Sequence, residues 1–145
     1  MPSSPYTDDL EGVPPGSMLI RLISPHFVDW AGGSPTLTTQ AVQFYDQARA
    51  EKAGCPAPGL SVIVERLATT RDQLLERYSG YGLARLPVDV VRASECGVQL
   101  WPTDDEPAHA VVFRLDGGPS LPGSARKRWR DALSTNWLAT PPRTS

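Results

Sequence analysis

The sequence contains few of the residues that usually mark a chemical function. It has only two cysteines, Cys55 and Cys96, which lie far apart and match no CxxC or zinc-binding spacing. It has no glycine-rich phosphate-binding motif and no GxSxG nucleophile motif. The sequence therefore predicts no metal and no cofactor, and it disfavours Rossmann and P-loop nucleotide sites.

Long apolar segments are also missing. No run approaches the ~20 apolar residues that a membrane-spanning helix needs. The first residues, MPSSPYTDDLEGVPPG, lack the basic and apolar regions of a signal peptide. We therefore expect a cytoplasmic protein with reduced thiols and no membrane association. Abundant Arg, Ala, Gly and Pro with a single asparagine, Asn136, indicate a GC-rich coding bias and hence a bacterial source.

The composition indicates one folded domain with short elements. Of the 145 residues, 40% are hydrophobic and 21% are charged, which is enough to bury one core. The 12 glycines and 15 prolines predict many turns. We predict a single globular domain over residues 18–138, a flexible N-terminal arm over residues 1–17, and a frayed C-terminal tail over residues 139–145.

Hydrophobic periodicity and turn residues predict alternating strands and helices. Strands are predicted over residues 18–23, 60–67, 98–101 and 110–115. Helices are predicted over residues 38–53, 70–79, 87–95 and 124–137. The expected fold class is α+β, with a small mixed β-sheet of about four strands and three to four helices packed on it. In the last helix, apolar residues recur every four positions and should face the core: Ala125, Trp129, Leu133 and Trp137.

His109 is the first candidate for chemistry. It opens the predicted strand of the segment PAHAVVFRLDGG, directly after an acidic loop with Asp104, Asp105 and Glu106. Carboxylates orient catalytic imidazoles, so His109 is a candidate acid/base. The alternative is a half-exposed histidine at a strand end beside a solvated loop. The second histidine, His26, lies in a short loop and is interpreted as a surface residue.

Arg21 and Ser61 are candidates because of their places in predicted strands. Arg21 lies between apolar neighbours, and an inward-facing arginine needs a carboxylate or an anionic ligand. Glu65 is the expected internal partner of Arg21 or Arg114, which makes a structural ion pair the alternative to a phosphate site. Ser61, at the start of its strand, is either a neighbour of that site or a bystander.

Charge is divided unevenly along the chain. The formal net charge is −2; residues 1–120 hold 9 basic and 15 acidic residues, and residues 121–145 hold 5 basic and 1 acidic. Four of the basic residues cluster on the last predicted helix as candidates for partner binding: Arg126, Lys127, Arg128 and Arg130. Four charges on an acidic body are few for a nucleic-acid surface, so nucleic acid is an unlikely partner and a protein is favoured.

These observations support three hypotheses. The first is a non-catalytic accessory or protein-interaction module of a bacterial cytosolic system. The second is a small enzyme acting on a phosphate-bearing or nucleotide substrate, with His109 as acid/base and Arg21 as anion clamp. The third is a nucleic-acid-binding regulator that uses the basic C-terminal helix. Convergence of His109, His26, Arg21 and Ser61 in one pocket would favour the enzyme, and scatter would favour the module.

Overall fold

The computed structural model describes residues 5–44, 46–52 and 54–142. The strands over these ranges are β1 Met18–Ile23, β2 Val28–Asp29, β3 Thr36–Leu37, β4 Leu60–Val64, β5 Gly82–Pro87, β6 Cys96–Leu100, β7 His109–Arg114 and β8 Trp137–Ala139. The α-helices are α1 Gln47–Lys52, α2 Arg71–Arg77, α3 Val88–Ala93 and α4 Gly123–Ser134. Parts of the predicted arm (residues 1–4), first helix (Tyr45 and Ala53) and tail (residues 143–145) lie outside the described residues.

Six of the described strands form one sheet in the order β6-β7-β4-β1-β5-β8, and each pairing between neighbours is antiparallel. The α+β class is confirmed. The prediction of a mixed sheet of about four strands differs in detail, because the sheet has six described strands in antiparallel pairs. The two strands missing from the prediction are β5 and β8. Gly80 and Gly82 indicate the end of the helix predicted over residues 70–79, but Gly82 is also the first residue of β5. The residues of β8 were divided between the end of the last predicted helix and the tail.

One face of the sheet carries the main core. Alternate residues of β1, Leu19 and Ile23, point to this face and pack with Trp129 and Leu133 of α4. Ile20 points to the opposite face, where the core is smaller. There Leu74 of α2 covers one part of the sheet, and a second cluster with Tyr6 and Ala50 covers Val111 and Phe113 of β7. A pocket opens beside these clusters.

The helices confirm some local signals and correct others. Thr70 and Gln73 form a capping box at the start of α2, which confirms the start of the helix predicted over residues 70–79. The last helix ends at Ser134, so Trp137 lies in β8, half-buried against the core, and not on the helical stripe. The predicted first helix is a 3-10 helix over Thr39–Val42 followed by the short α1.

The N-terminal segment packs along the outer edge of β6. The Asp9 N–H donates to the Val98 carbonyl (2.8 Å), and the Val98 N–H donates to the Asp8 carboxylate (3.0 Å). Asp8 also forms an ion pair with Arg92 (3.1 Å), and the Tyr6 side chain is buried. Residues 5–17 thus add core and edge contacts, and the flexibility predicted for the arm stays a prediction.

In the part of the chain that the structure describes, no helix is both long enough and apolar enough to cross a bilayer.

Candidate ligand-binding pocket

A cavity of about 510 Å³ opens at the gap between β1 and β4, lined by Ile20 and Ile63 from the second face and by Arg21 and Val62 from the main-core face. Three of the four residues whose convergence would favour the enzyme line it: Arg21, Ser61 and His109. His26 is exposed and is not among the lining residues described. Several further polar side chains of the lining had no functional signal in the sequence: Gln40, Gln43, Arg49, Tyr78 and Tyr81.

The floor of the pocket forms where β1 and β4 separate. Among the described residues, β1 pairs with β5 along its whole length but with β4 only at Leu19 and Ile20. Arg21, which is 6% exposed, bridges the gap that follows. Its Nε donates to the Ala41 carbonyl (3.0 Å), and one terminal nitrogen donates to the Ser61 carbonyl (3.1 Å). The guanidinium therefore replaces strand pairing and is held in a fixed orientation.

Glu65 does not form the ion pair that was expected with Arg21 or Arg114. Glu65 binds Arg85 (2.9 Å between Nε and the carboxylate) and not Arg21. Arg114 pairs with Asp116 (2.7 Å). Arg85 lies within β5, a strand that the sequence did not predict, so its alignment with Glu65 could not be anticipated.

Backbone groups fix the His109 ring. Its Nδ1 lies 2.7 Å from the Trp101 carbonyl oxygen. A carbonyl only accepts hydrogen bonds, so Nδ1 carries a proton in this contact, and Nε2 of the neutral ring keeps a free lone pair. The predicted orienting role of Asp104 and Asp105 is not seen, since both are exposed. The chemical result is the same, because the ring has one defined tautomer.

Glu106 connects α2 to the loop that precedes β7. This carboxylate is 7% exposed and lines the pocket. It accepts a hydrogen bond from the Tyr78 hydroxyl (2.9 Å) and one from the Ala108 N–H (3.2 Å), and it pairs with Arg77 (3.2 Å). Burial, together with the bond to Glu106, raises the pKa of Tyr78 to about 12, so its hydroxyl stays protonated near neutral pH.

The basic residues of α4 are mostly engaged within the chain. Lys127 pairs with Asp131 (3.2 Å), and Arg128 donates to the Ser94 hydroxyl (3.1 Å). Arg130 contacts the Leu37 carbonyl (3.5 Å), and Arg126 lines a second, smaller cavity. Binding of a partner by these residues stays a prediction.

The two cysteines are buried and unbonded to each other. Burial raises the pKa of Cys55, and it raises that of Cys96 to about 12. Both thiols are therefore poor thiolate nucleophiles at neutral pH. Within the described residues, no three His, Cys, Asp or Glu side chains are grouped to hold a metal ion.

Comparison with protein families, curated proteins and solved structures found no match.

Proposed function

We propose that this protein binds a small phosphate-bearing molecule in the pocket and that His109 exchanges a proton with it. The observation that carries the proposal is the convergence of Arg21, Ser61 and His109 on one cavity. The cavity lies within the range of about 300–1,000 Å³ that is usual for small-molecule sites.

Positive charge supports an anionic ligand. Arg21 and Arg49 both line the cavity and come from different elements, β1 and α1. Guanidinium groups match the geometry of phosphate oxygens. The Phe27 ring, centred 6.0 Å from the Arg21 guanidinium carbon, adds an apolar wall and a favourable cation–π contact.

His109 supplies the acid/base group of the proposal. The Nδ1–H of His109 donates a hydrogen bond to the Trp101 carbonyl, which leaves Nε2 as the basic nitrogen. Nε2 accepts a proton from a hydroxyl of the ligand or from water and returns it later in the reaction. This step needs no metal and no reactive thiol.

The proposal predicts that Arg49→Gln weakens binding of phosphate esters by about tenfold, the value expected for one hydrogen bond to a charged group. Binding is measured by NMR titration of the labelled protein with a panel of sugar phosphates and nucleoside monophosphates. The matched control is Lys52→Gln, which removes the same charge from the same helix but outside the described lining. Equal weakening in both variants would mean that the ligand senses only overall charge.

A protein-interaction module is the second candidate. It is favoured by the basic, partly exposed α4 on an acidic chain, where the Lys127 side chain is 73% exposed. If no member of the phosphate panel binds the wild-type protein, the pocket loses its proposed ligand and the interaction module becomes the preferred function.

A further inference from the structure

The pocket has an end rich in hydrogen-bond acceptors, formed by Tyr78, Glu106 and His109. Two hydrogen bonds connect these residues. The Tyr78 hydroxyl donates to the Glu106 carboxylate, and the backbone N–H of His109 donates to the backbone carbonyl of Glu106 (3.1 Å). Arg21, bonded to the Ala41 and Ser61 carbonyls, lines the same cavity. The cavity therefore offers a ligand a cationic group as well as these acceptors.

The Tyr78 hydroxyl uses its one proton in a hydrogen bond to Glu106. Glu106 is a carboxylate paired with Arg77, so it can only accept, and the hydroxyl of Tyr78 must donate to it. The oxygen of Tyr78 then has only lone pairs to present to a ligand. The raised pKa of this hydroxyl agrees with that assignment, because the anionic form is disfavoured.

His109 presents the same polarity by a different route. Its Nδ1–H is bonded to the Trp101 carbonyl, so Nε2 of the neutral ring is an acceptor. A ligand that fills the cavity thus meets guanidinium donors from Arg21 and Arg49, and acceptors from Tyr78 and His109. The complementary molecule carries an anionic group together with hydroxyl groups.

We propose that Tyr78 determines specificity by accepting a hydrogen bond from a hydroxyl group of a phosphorylated sugar. The inference rests on the proposed function, since it assumes that the pocket takes a phosphate ester. It adds that the sugar hydroxyls, and not the phosphate alone, are recognised. Glu106 acts through Tyr78 as a positioning residue, because it fixes the direction of the hydroxyl proton.

The test compares two ligands that differ in their hydroxyls. Ribose 5-phosphate is set against cyclopentylmethyl phosphate, which keeps a five-membered ring and the phosphate but has no hydroxyl group. Wild-type protein should bind ribose 5-phosphate about tenfold more tightly, the effect of one net hydrogen bond. Tyr78→Phe should remove this preference and leave the affinity for cyclopentylmethyl phosphate unchanged.

Tyr6→Phe is the matched control. Tyr6 also has a buried hydroxyl bond, to the Ala57 carbonyl (2.6 Å), but it is outside the described lining of the pocket. Its variant should keep the preference for ribose 5-phosphate. If Tyr78→Phe does not fold, wild-type protein with ¹³C-labelled tyrosine Cζ replaces it: the Tyr78 signal should move with ribose 5-phosphate and not with the analogue.

The outcomes separate the two proposals. If wild-type protein binds both phosphates equally, or if Tyr78→Phe weakens both equally, the inference about Tyr78 is wrong while phosphate binding stands. The inference is also contradicted if the ¹³C signal of Tyr78 does not move when the protein is saturated with ribose 5-phosphate. If neither phosphate binds, the proposed function fails and the inference fails with it.

Discussion

Backbone carbonyls hold both Arg21 and His109. Arg21 donates to Ala41 and Ser61, and His109 donates to Trp101. Carbonyls accept hydrogen bonds but cannot take up a proton, so they fix the direction of each side chain without neutralising its charge or competing for its proton. At the scale of single residues, main-chain carbonyls therefore contribute to the preorganisation of the pocket.

The fixed tautomer of His109 leads to a prediction about turnover. If the bound phosphate ester is a substrate, His109→Gln should lower its turnover by roughly 100- to 10,000-fold, as for loss of a general acid/base. Stability should change by less than about 1.5 kcal/mol, since the ring is half-buried and one neutral hydrogen bond is lost. Turnover and thermal unfolding are measured on the same sample.

His26→Gln is the control for that prediction, because it removes the chain's second histidine from an exposed loop. It should affect neither turnover nor unfolding. Normal turnover in His109→Gln would contradict an acid/base role and leave His109 as a strand-end residue.

Among the elements, α4 contributes the largest buried side chain. Trp129 is 0% exposed, and its indole N–H donates to the Ser94 hydroxyl of the α3–β6 turn (3.0 Å). The helix begins at Gly123 without a side-chain cap, and its first turn contains no acidic residue. Its stability therefore depends on packing of the apolar face, as is general for short helices in water.

Trp129→Ala should lower the free energy of unfolding by about 3–5 kcal/mol, since a fully buried aromatic ring leaves a cavity. Trp137→Ala should cost less, because Trp137 is only half-buried in the edge strand β8. Both values come from urea unfolding followed by circular dichroism. A loss below about 1 kcal/mol for Trp129→Ala would contradict its place in the core.

For the molecule as a whole, the N-terminal segment closes one edge of the sheet. An exposed edge strand offers free N–H and C=O groups to other chains, and proteins commonly cover such edges. Here Asp8 and Asp9 occupy both backbone groups of Val98 on β6. At the other edge, β8 is only three residues long, and Arg71 donates to its Leu138 carbonyl (2.9 Å).

Asp8→Ala should destabilise the protein by about 2–3 kcal/mol, because it removes charge-assisted hydrogen bonds from Arg92 and Val98. It should also increase self-association, because the β6 edge is uncovered. Urea unfolding measures the first effect and light scattering the second. Thr7→Ala, an exposed neighbour, is the control and should change neither. Wild-type stability in Asp8→Ala would instead support the flexible arm.

The sequence alone determined the class of the fold and several local elements. Hydrophobic periodicity and turn residues predicted β1, β4 and β7, and the helix predicted over residues 70–79 begins at the Thr70 capping box of α2. These signals are local: each depends on side-chain periodicity or on a backbone group within one turn. Arg21, Ser61 and His109 were singled out on similar grounds, by residue type and position in a strand.

Only the tertiary structure decided how those pieces combine. β5 carries a weak local signal and is a strand because β1 supplies its hydrogen bonds along its whole length. The backbone of Trp137 joins the sheet as the start of β8 because α4 ends at Ser134. Glu106 meets Tyr78, 28 residues away, because Leu74 of α2 packs in one cluster with Ala108 of the loop that carries Glu106. Long-range pairing and burial fix these contacts, and neither is encoded in the spacing of neighbouring residues.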